Sequence, residues 1–211
     1  MATSWPVDLR QRADLVAPGL LGCRLTVAGP AGAVELRLTE VEAYRGADDP
    51  ASHAWRGPTA RNAAMFGPPG RLYVYISYGL HRALNLVCEQ DGAAAAVLIR
   101  AGEVVAGQEL AARRRPGVAP AAWARGPGCV GRTLAVDVGD CGEELGSERV
   151  WLRGPAGPVG AVSAGPRIGI RRAVERPWRF WLAGDPTVSA GRRVQPWADV
   201  AANPVSINGP G

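Results

Sequence analysis

The run RLYVYISYGLHRALNLVC, residues 71–88, decides the reading of the fold. Over residues 71–77 it alternates. Leu72, Val74 and Ile76 fall on one side, and Tyr73, Tyr75 and Ser77 on the other. That two-residue period predicts a strand with one face against a core. Tyr78-Gly79 predicts a turn, and residues 80–88 the returning strand of a hairpin. Tyr78 then stands at a hairpin tip, flanked by Gly79 and Leu80, where no core accounts for an aromatic ring. Proteins that kink DNA push such side chains between base steps.

The segments on either side extend the pattern. In VELRLTEVEAY, residues 34–44, Val34, Leu36 and Leu38 alternate with Glu35, Arg37 and Thr39, which predicts another strand. Asp91-Gly92 is a strong hairpin signal, and the apolar stretch 94–100 reads as the strand after it. Shorter strands are expected over 149–153, 159–163 and 178–182. Helices are expected over 8–15, 102–115 and 127–134, the first stopped by Ala17-Pro18-Gly19 and the second carrying basic residues at its C-terminal end. Residues 46–69 form a polar, Gly/Pro-rich connection, and a loop of that length inside a compact domain is usually functional. The tail from about residue 196 reads as irregular. The sum is a single α+β domain over residues 1–211, with a mostly antiparallel sheet and short helices.

Composition agrees with one domain. The 211 residues are 47% apolar and 20% charged, as in ordinary globular proteins. No apolar run approaches the ~18 residues of a membrane span, and Met1 to Asp8 lacks the pattern of a secretory signal. Four separated cysteines, Cys23, Cys88, Cys129 and Cys141, form no CxxC pair, so neither a zinc site nor a redox motif is expected. They read as reduced thiols in a cytoplasmic protein. The net charge of +5 is compatible with a polyanionic partner. All 24 basic residues are Arg and none is Lys. No lysine can therefore form a Schiff base or cradle a nucleotide phosphate.

Residue types that carry chemistry gather in one region. All four tyrosines, Tyr44, Tyr73, Tyr75 and Tyr78, lie between residues 44 and 78, with His53 among them and His81 just after. Tyr and His stack on flat rings and hydrogen-bond at an edge. Tyr73 reads as core, while Tyr44, His53 and Tyr75 are open to either role. Glu42 ends an apolar strand beside Tyr44, and Glu40 lies two residues earlier. A partly desolvated carboxylate there is a candidate general base. From pattern alone, however, the two read as a surface carboxylate pair. Arg100 ends an apolar strand, so its head group is expected to be semi-buried and paired, a glutamate being the natural partner. Asn85, inside Leu84-Asn85-Leu86-Val87, is either a structural bridge or a reader of a polar ligand edge. A metal site from Glu40, Glu42, Asp48, Asp49 and His53 matches no ligand spacing, and these loop acids read as solvated.

Several strings, in order, resemble the alkyladenine DNA glycosylase family, also called 3-methyladenine DNA glycosylases. They are TEVEAY (39–44), the loop through His53, GRLYVYISYG (70–79), Asn85, VLIRA (97–101), GPG (126–128), PRIGI (166–170) and RFWLAGDPTVS (179–189). The resemblance runs from about residue 14 to 189 and rests on order and spacing, since each string is weak alone. It implies a protruding hairpin that enters the minor groove of double-stranded DNA containing damaged purines. It implies that Glu42 activates the attacking water, helped by Arg100 and the Ile168 carbonyl. Tyr44, His53 and Tyr75 match the slot around a flipped base, and Asn85 the residue that crowds the guanine amine. Tyr78 matches the residue that fills the vacated stack, with Leu80 and Gly169 contacting DNA. It implies no cofactor, no metal, no membrane, a monomer, and a bacterial, nucleoid-associated setting. Leu80-His81 departs from a bulkier pair in better-known relatives, and the loop at Glu89-Gln90 is slightly longer. A catalytically silent damaged-DNA binding module, and a small-molecule hydrolase built on Glu42 and His53, are the other readings.

Overall fold

The computed structural model describes residues 5–189 and the pair Gln195–Pro196. Most of the tail expected to be irregular lies outside the described residues. In chain order the elements are helix α1 (Ala13–Gly19), strands β1 (Arg24–Gly29), β2 (Gly32–Tyr44), β3 (Leu72–Ser77), β4 (His81–Cys88) and β5 (Ala95–Ala106), helix α2 (Gln108–Arg114), strand β6 (Ala124–Arg125), helix α3 (Pro127–Leu134), and strands β7 (Val150–Arg153), β8 (Val162–Gly165), β9 (Arg179–Leu182) and β10 (Gln195–Pro196). They form one curled antiparallel sheet in the order β10-β8-β9-β2-β5-β4-β3, with β1 and β7 extending it beside β2, and β6 beside β5. The α+β class expected from the sequence holds.

The two faces of the sheet differ. One packs against the helices, with Leu36, Leu38, Val41, Ala43, Leu72, Val74, Leu84, Leu86, Val97 and Ile99 meeting Ala13, Val16, Leu110, Val130 and Leu134. The opposite face is covered by the connection 46–69, whose Ala54 and Met65 pack on Tyr73, Val87 and Ala96 in a second, smaller core. A Leu-sized side chain taken out of water contributes roughly 1.5–3 kcal/mol, so the larger core is the main source of stability.

β2 carries the feature that makes the site. Leu36 and Leu38 face the main core, but beyond them Val41 and Ala43 do. The ladder with β5 shifts register between Leu38 and Glu40 and again between Glu40 and Val41. A bulge of this kind adds a residue to one strand and inverts the alternation that follows. Without it Glu40 and Glu42 would point into the aliphatic core. With it they point to the other face, with Tyr44.

Several boundaries differ from expectation for local reasons. The segment 102–115 is not one helix. β5 runs on to Ala106 because the long β2 offers it a ladder as far as Glu35. Gly107, at φ 78°, then breaks the strand and leaves only Gln108–Arg114 helical. The first helix starts at Ala13 rather than residue 8, where the Glu89 side chain accepts the Ala13 N–H at 3.1 Å. β1 was not anticipated, and β8 begins at Val162 rather than residue 159. The connection 46–69 is ordered from within. Asn62, 2% exposed, donates to the His53 and Gly57 carbonyls and accepts from the Thr59 N–H.

Candidate active site

The face of the sheet opposite the helices holds a cavity of about 600 Å³. Tyr44, His53, Tyr75, Asn85, Arg100 and Ile168 all line it, as does Tyr78. Four strands, two loops and the hairpin turn deliver these residues to one place. The cavity walls are ring-bearing. His53 and Tyr75 meet edge-to-face with centroids 4.4 Å apart, and Tyr73 lies 5.5 Å from Tyr75. Tyr73 is 1% exposed, as a core residue should be, yet its hydroxyl meets His53 Nδ1 at 3.0 Å and fixes the imidazole. Burial, then the nearby Arg61 cation, lowers the His53 pKa, so the ring is neutral at pH 7. Burial raises the Tyr44 and Tyr75 pKa values, so both remain phenols.

Glu40 and Glu42 are not a surface pair. Both are fully buried. The bulge explains the difference, since it moves them into a pocket already occupied by arginines. Glu42 lies directly behind the cavity lining, held by three groups that do line it. The Ile168 N–H donates to Oε1 at 2.7 Å, Arg100 Nη1 stands 3.2 Å from the same oxygen, and the Tyr44 hydroxyl donates to Oε2 at 2.9 Å. Burial raises the Glu42 pKa, while Arg100, the Ile168 amide and Tyr44 pull it back. Burial makes the carboxylate a stronger base than one in water, and its fixed donors temper that while directing its lone pairs, so that it can orient a nucleophile.

Arg100, 6% exposed, joins the two glutamates, its Nε donating to Glu40 Oε1 at 3.1 Å. Glu40 also accepts from Arg179 at 2.5 Å and from the Ser189 N–H and hydroxyl at 2.8 and 2.9 Å. The expected glutamate partner for Arg100 is thus present twice. Of the two roles left open for Asn85, the structure shows the structural bridge. Its Nδ2 donates to the Tyr73 and Ala83 carbonyls at 3.0 and 3.3 Å, and the residue lines the cavity. Asp49, expected to be solvated, is fully buried against Arg167. Among the described residues no group of three His, Cys, Asp or Glu is arranged to hold a metal ion.

Tyr78 and Leu80 stand out from the surface at 87% and 73% exposure. Tyr78 at φ 49° and Gly79 at φ 72° make the tight primed turn that hairpins favour. A non-glycine residue in that region costs roughly 1–2 kcal/mol, strain of a kind that clusters at functional sites. Leu80 shares the tip but does not line the cavity. Gly169 lines it at φ 78°, and a Cβ there would meet nothing within 4 Å, so its backbone conformation rather than crowding calls for glycine. Arg61, Arg171 and Arg172 line the cavity as well and are exposed. In the sequence Arg171 and Arg172, with Arg113 to Arg115, read equally as phosphate contacts or as ordinary solvated surface, and nothing there marked Arg61.

A ring-walled cavity, a buried carboxylate behind its lining and an exposed tyrosine at a hairpin tip thus meet on one face of the sheet. The sequence model of the methylpurine-DNA glycosylases matches residues 8–186, and the chain belongs to that family. It is 54% identical over 199 residues to a protein of Frankia casuarinae, covering 88% of this chain and 92% of that one. It is 51% identical over 187 residues to one of Corynebacterium efficiens, covering 89% and 96%. With one of Cutibacterium acnes the identity is 49% over 193 residues, covering 88% and 99%. All three bacterial proteins carry the provisional name 3-methyladenine DNA glycosylase. Family membership makes this chain a DNA-repair enzyme, a hydrolase of N-glycosidic bonds acting on DNA. Among the described residues no helix is long and apolar enough to cross a membrane.

Proposed function

We propose that this protein is a monofunctional glycosylase of base excision repair that rotates an alkylated or deaminated purine out of duplex DNA and hydrolyses its N-glycosidic bond. The observation that carries the reading is the fully buried Glu42 carboxylate, held by Arg100, Tyr44 and the Ile168 amide against a ring-lined cavity. Flipping costs a few kcal/mol, least for a weakly paired lesion. Tyr78 enters the vacated space and slows return of the base. Tyr44, His53 and Tyr75 hold the flipped ring. A cationic base such as 3-methyladenine gains about 0.5–2 kcal/mol from aromatic faces, and a neutral His53 adds no repelling charge. Asn85 discriminates at the ring edge, where it excludes guanine.

Glu42 orients and deprotonates a water, with Arg100 and the Ile168 main chain beside it, and the water attacks the sugar carbon as the base departs. The carboxylate also stabilises the oxocarbenium-like sugar. Direct attack inverts the configuration at that carbon. The sequence has no lysine, so no lysine Schiff base can cut the strand and the product is an intact abasic site. The enzyme acts as a monomer on the bacterial nucleoid.

The test is single-turnover incubation with labelled duplexes carrying hypoxanthine, ethenoadenine or methylated purines. Base release with strand breaks appearing only after alkali is the expected result. Salt-sensitive binding with no release from any lesion would leave the silent binding module. A strand cut by purified protein alone would remove the monofunctional assignment.

Two expectations concern the surface. Tyr78→Ala should leave the melting temperature unchanged, because the ring contacts solvent. Stacking of an aromatic on a base is worth ~1–3 kcal/mol, so base release under subsaturating enzyme should fall roughly 5- to 150-fold. Arg171→Ala with Arg172→Ala should weaken damaged and undamaged duplex about equally. If both contact phosphate, the slope of log affinity against log salt should flatten by about 0.9 for each. An unchanged slope would place them off the DNA.

A further inference from the structure

A second buried ion pair lies beside the site and takes no part in the chemistry above. Asp49 and Arg167 have fully buried side chains and meet fork to fork, Nη1 to Oδ2 at 2.5 Å and Nη2 to Oδ1 at 2.8 Å. Nη1 also donates to the Ala43 carbonyl at 2.9 Å. The guanidinium centre stands 4.6 Å from the Tyr44 ring and 5.2 Å from that of Trp178. Asp49 in turn accepts from the Arg45 and Ala51 N–H groups at 3.2 Å each. One planar cation therefore ties together β2 at its last residues, the loop that leads to His53, and the segment 166–170.

Burying two charges is expensive, and a well-packed apolar pair of similar volume would often be as stable. The placement of the pair offers a reason beyond stability. Arg167 precedes Ile168, so the peptide plane between them carries both the Arg167 carbonyl and the Ile168 N–H. Ala43, which accepts from Arg167, adjoins Glu42 on the same strand. We propose that Asp49 and Arg167 are positioning residues that fix this peptide plane so that the Ile168 N–H donates to the Glu42 carboxylate. The base named in the preceding section is thereby aimed from outside the cavity. This inference rests on that section for what Glu42 does, but not for where Glu42 is held.

The pair has a signature that a merely structural pair lacks. Removing a hydrogen-bond donor from a carboxylate favours its protonated form. The charged and titratable groups around Glu42 are Arg100 from β5, Tyr75 from β3, Arg179 from β9 through Glu40, and Glu40 and Tyr44 from its own strand. None of these is altered in Arg167→Lys, Asp49→Asn or the double variant Asp49→Leu/Arg167→Met. The double variant leaves no unpaired buried charge, and its Met can rest on Tyr44 and Trp178, so it should fold. In each folded variant the Glu42 carboxyl carbon, followed by carbon NMR in the free protein and assigned with Glu42→Gln, should titrate at higher pH than in wild type. Single-turnover base release should fall about 100-fold, with its acid limb moved the same way. A Glu42 titration unmoved in the folded double variant overturns the proposal, whatever the rate does. A moved titration in a protein that releases no base supports the positioning role and removes the glycosylase role for Glu42.

Discussion

Glu42→Gln is expected to lower single-turnover base release by about 10²–10⁴-fold, the usual contribution of a positioned general base, while duplex binding changes little. The substitution keeps shape and removes basicity. It should also keep the fold, because the amide can be satisfied where it sits. Its oxygen can accept from the Ile168 N–H and Arg100, and its nitrogen can donate to the Tyr44 hydroxyl, which reverses its role. Arg100 keeps Glu40 as an anionic partner. The wild-type pH profile adds a second check. Glu42 works deprotonated, and burial raises its pKa. The rate should therefore fall as pH drops, with the limb centred above the range of an ordinary exposed glutamate. Equal rates for the variant and wild type on any lesion would sink the assignment.

How much of this was legible in the sequence differs between fold and site. The strand patterns of 34–44 and 71–88, with the apolar stretch 94–100, located the four strands that carry the site, and the tip at Tyr78-Gly79 followed from turn chemistry. The exposure of Tyr78 follows from its place in the turn, beyond the ends of β3 and β4. What periodicity could not show was the bulge at Glu40. In a regular strand Glu42 shares the face of Leu36 and Leu38, which makes a solvated end position the natural reading. The extra residue puts it instead on the cavity side, beside Arg100. Asp49 was missed for a related reason. An acid in a polar loop looks solvated until its partner, 118 residues away, is known to lie beneath it. The roles of Tyr44, His53, Tyr75 and Asn85 were expected from resemblance, whereas the hydrogen bonds and, for Tyr75, the ring contacts that orient them are visible only in three dimensions. The helix expected over 102–115 failed because pairing with a long neighbour outweighed local helix preference for the first half of that segment.

Arg100→Met is expected to be the most destabilising single change in the site. Arg100 is the cation shared by Glu40 and Glu42. Glu40 would retain Arg179 and Ser189, but Glu42 would retain only the Ile168 N–H and the Tyr44 hydroxyl. Breaking a buried ion pair from one side costs about 3–5 kcal/mol. In a domain of this size that lowers the melting temperature by roughly 6–20 °C. The deficit should depend on pH in a definite direction. Loss of the cation raises the folded-state pKa of Glu42 further above its unfolded value. The ionised form is then the strained one, so the penalty is fullest at pH values above the raised pKa. It shrinks as pH falls through that value towards the ordinary carboxylate range, because a neutral Glu42 needs no counter-charge. Melting curves of wild type and variant at neutral and mildly acidic pH measure this directly, and the gap between them should narrow on acidification. Arg100→Lys, which keeps the charge but cannot reach two carboxylates with one planar fork, should fall between them. A gap that widens in acid would mean that the penalty does not come from an ionised Glu42, and a variant that melts with wild type would mean that the Ile168 amide and Tyr44 alone suffice to hold it. In either case Arg100 would be left with water and sugar as its business rather than Glu42.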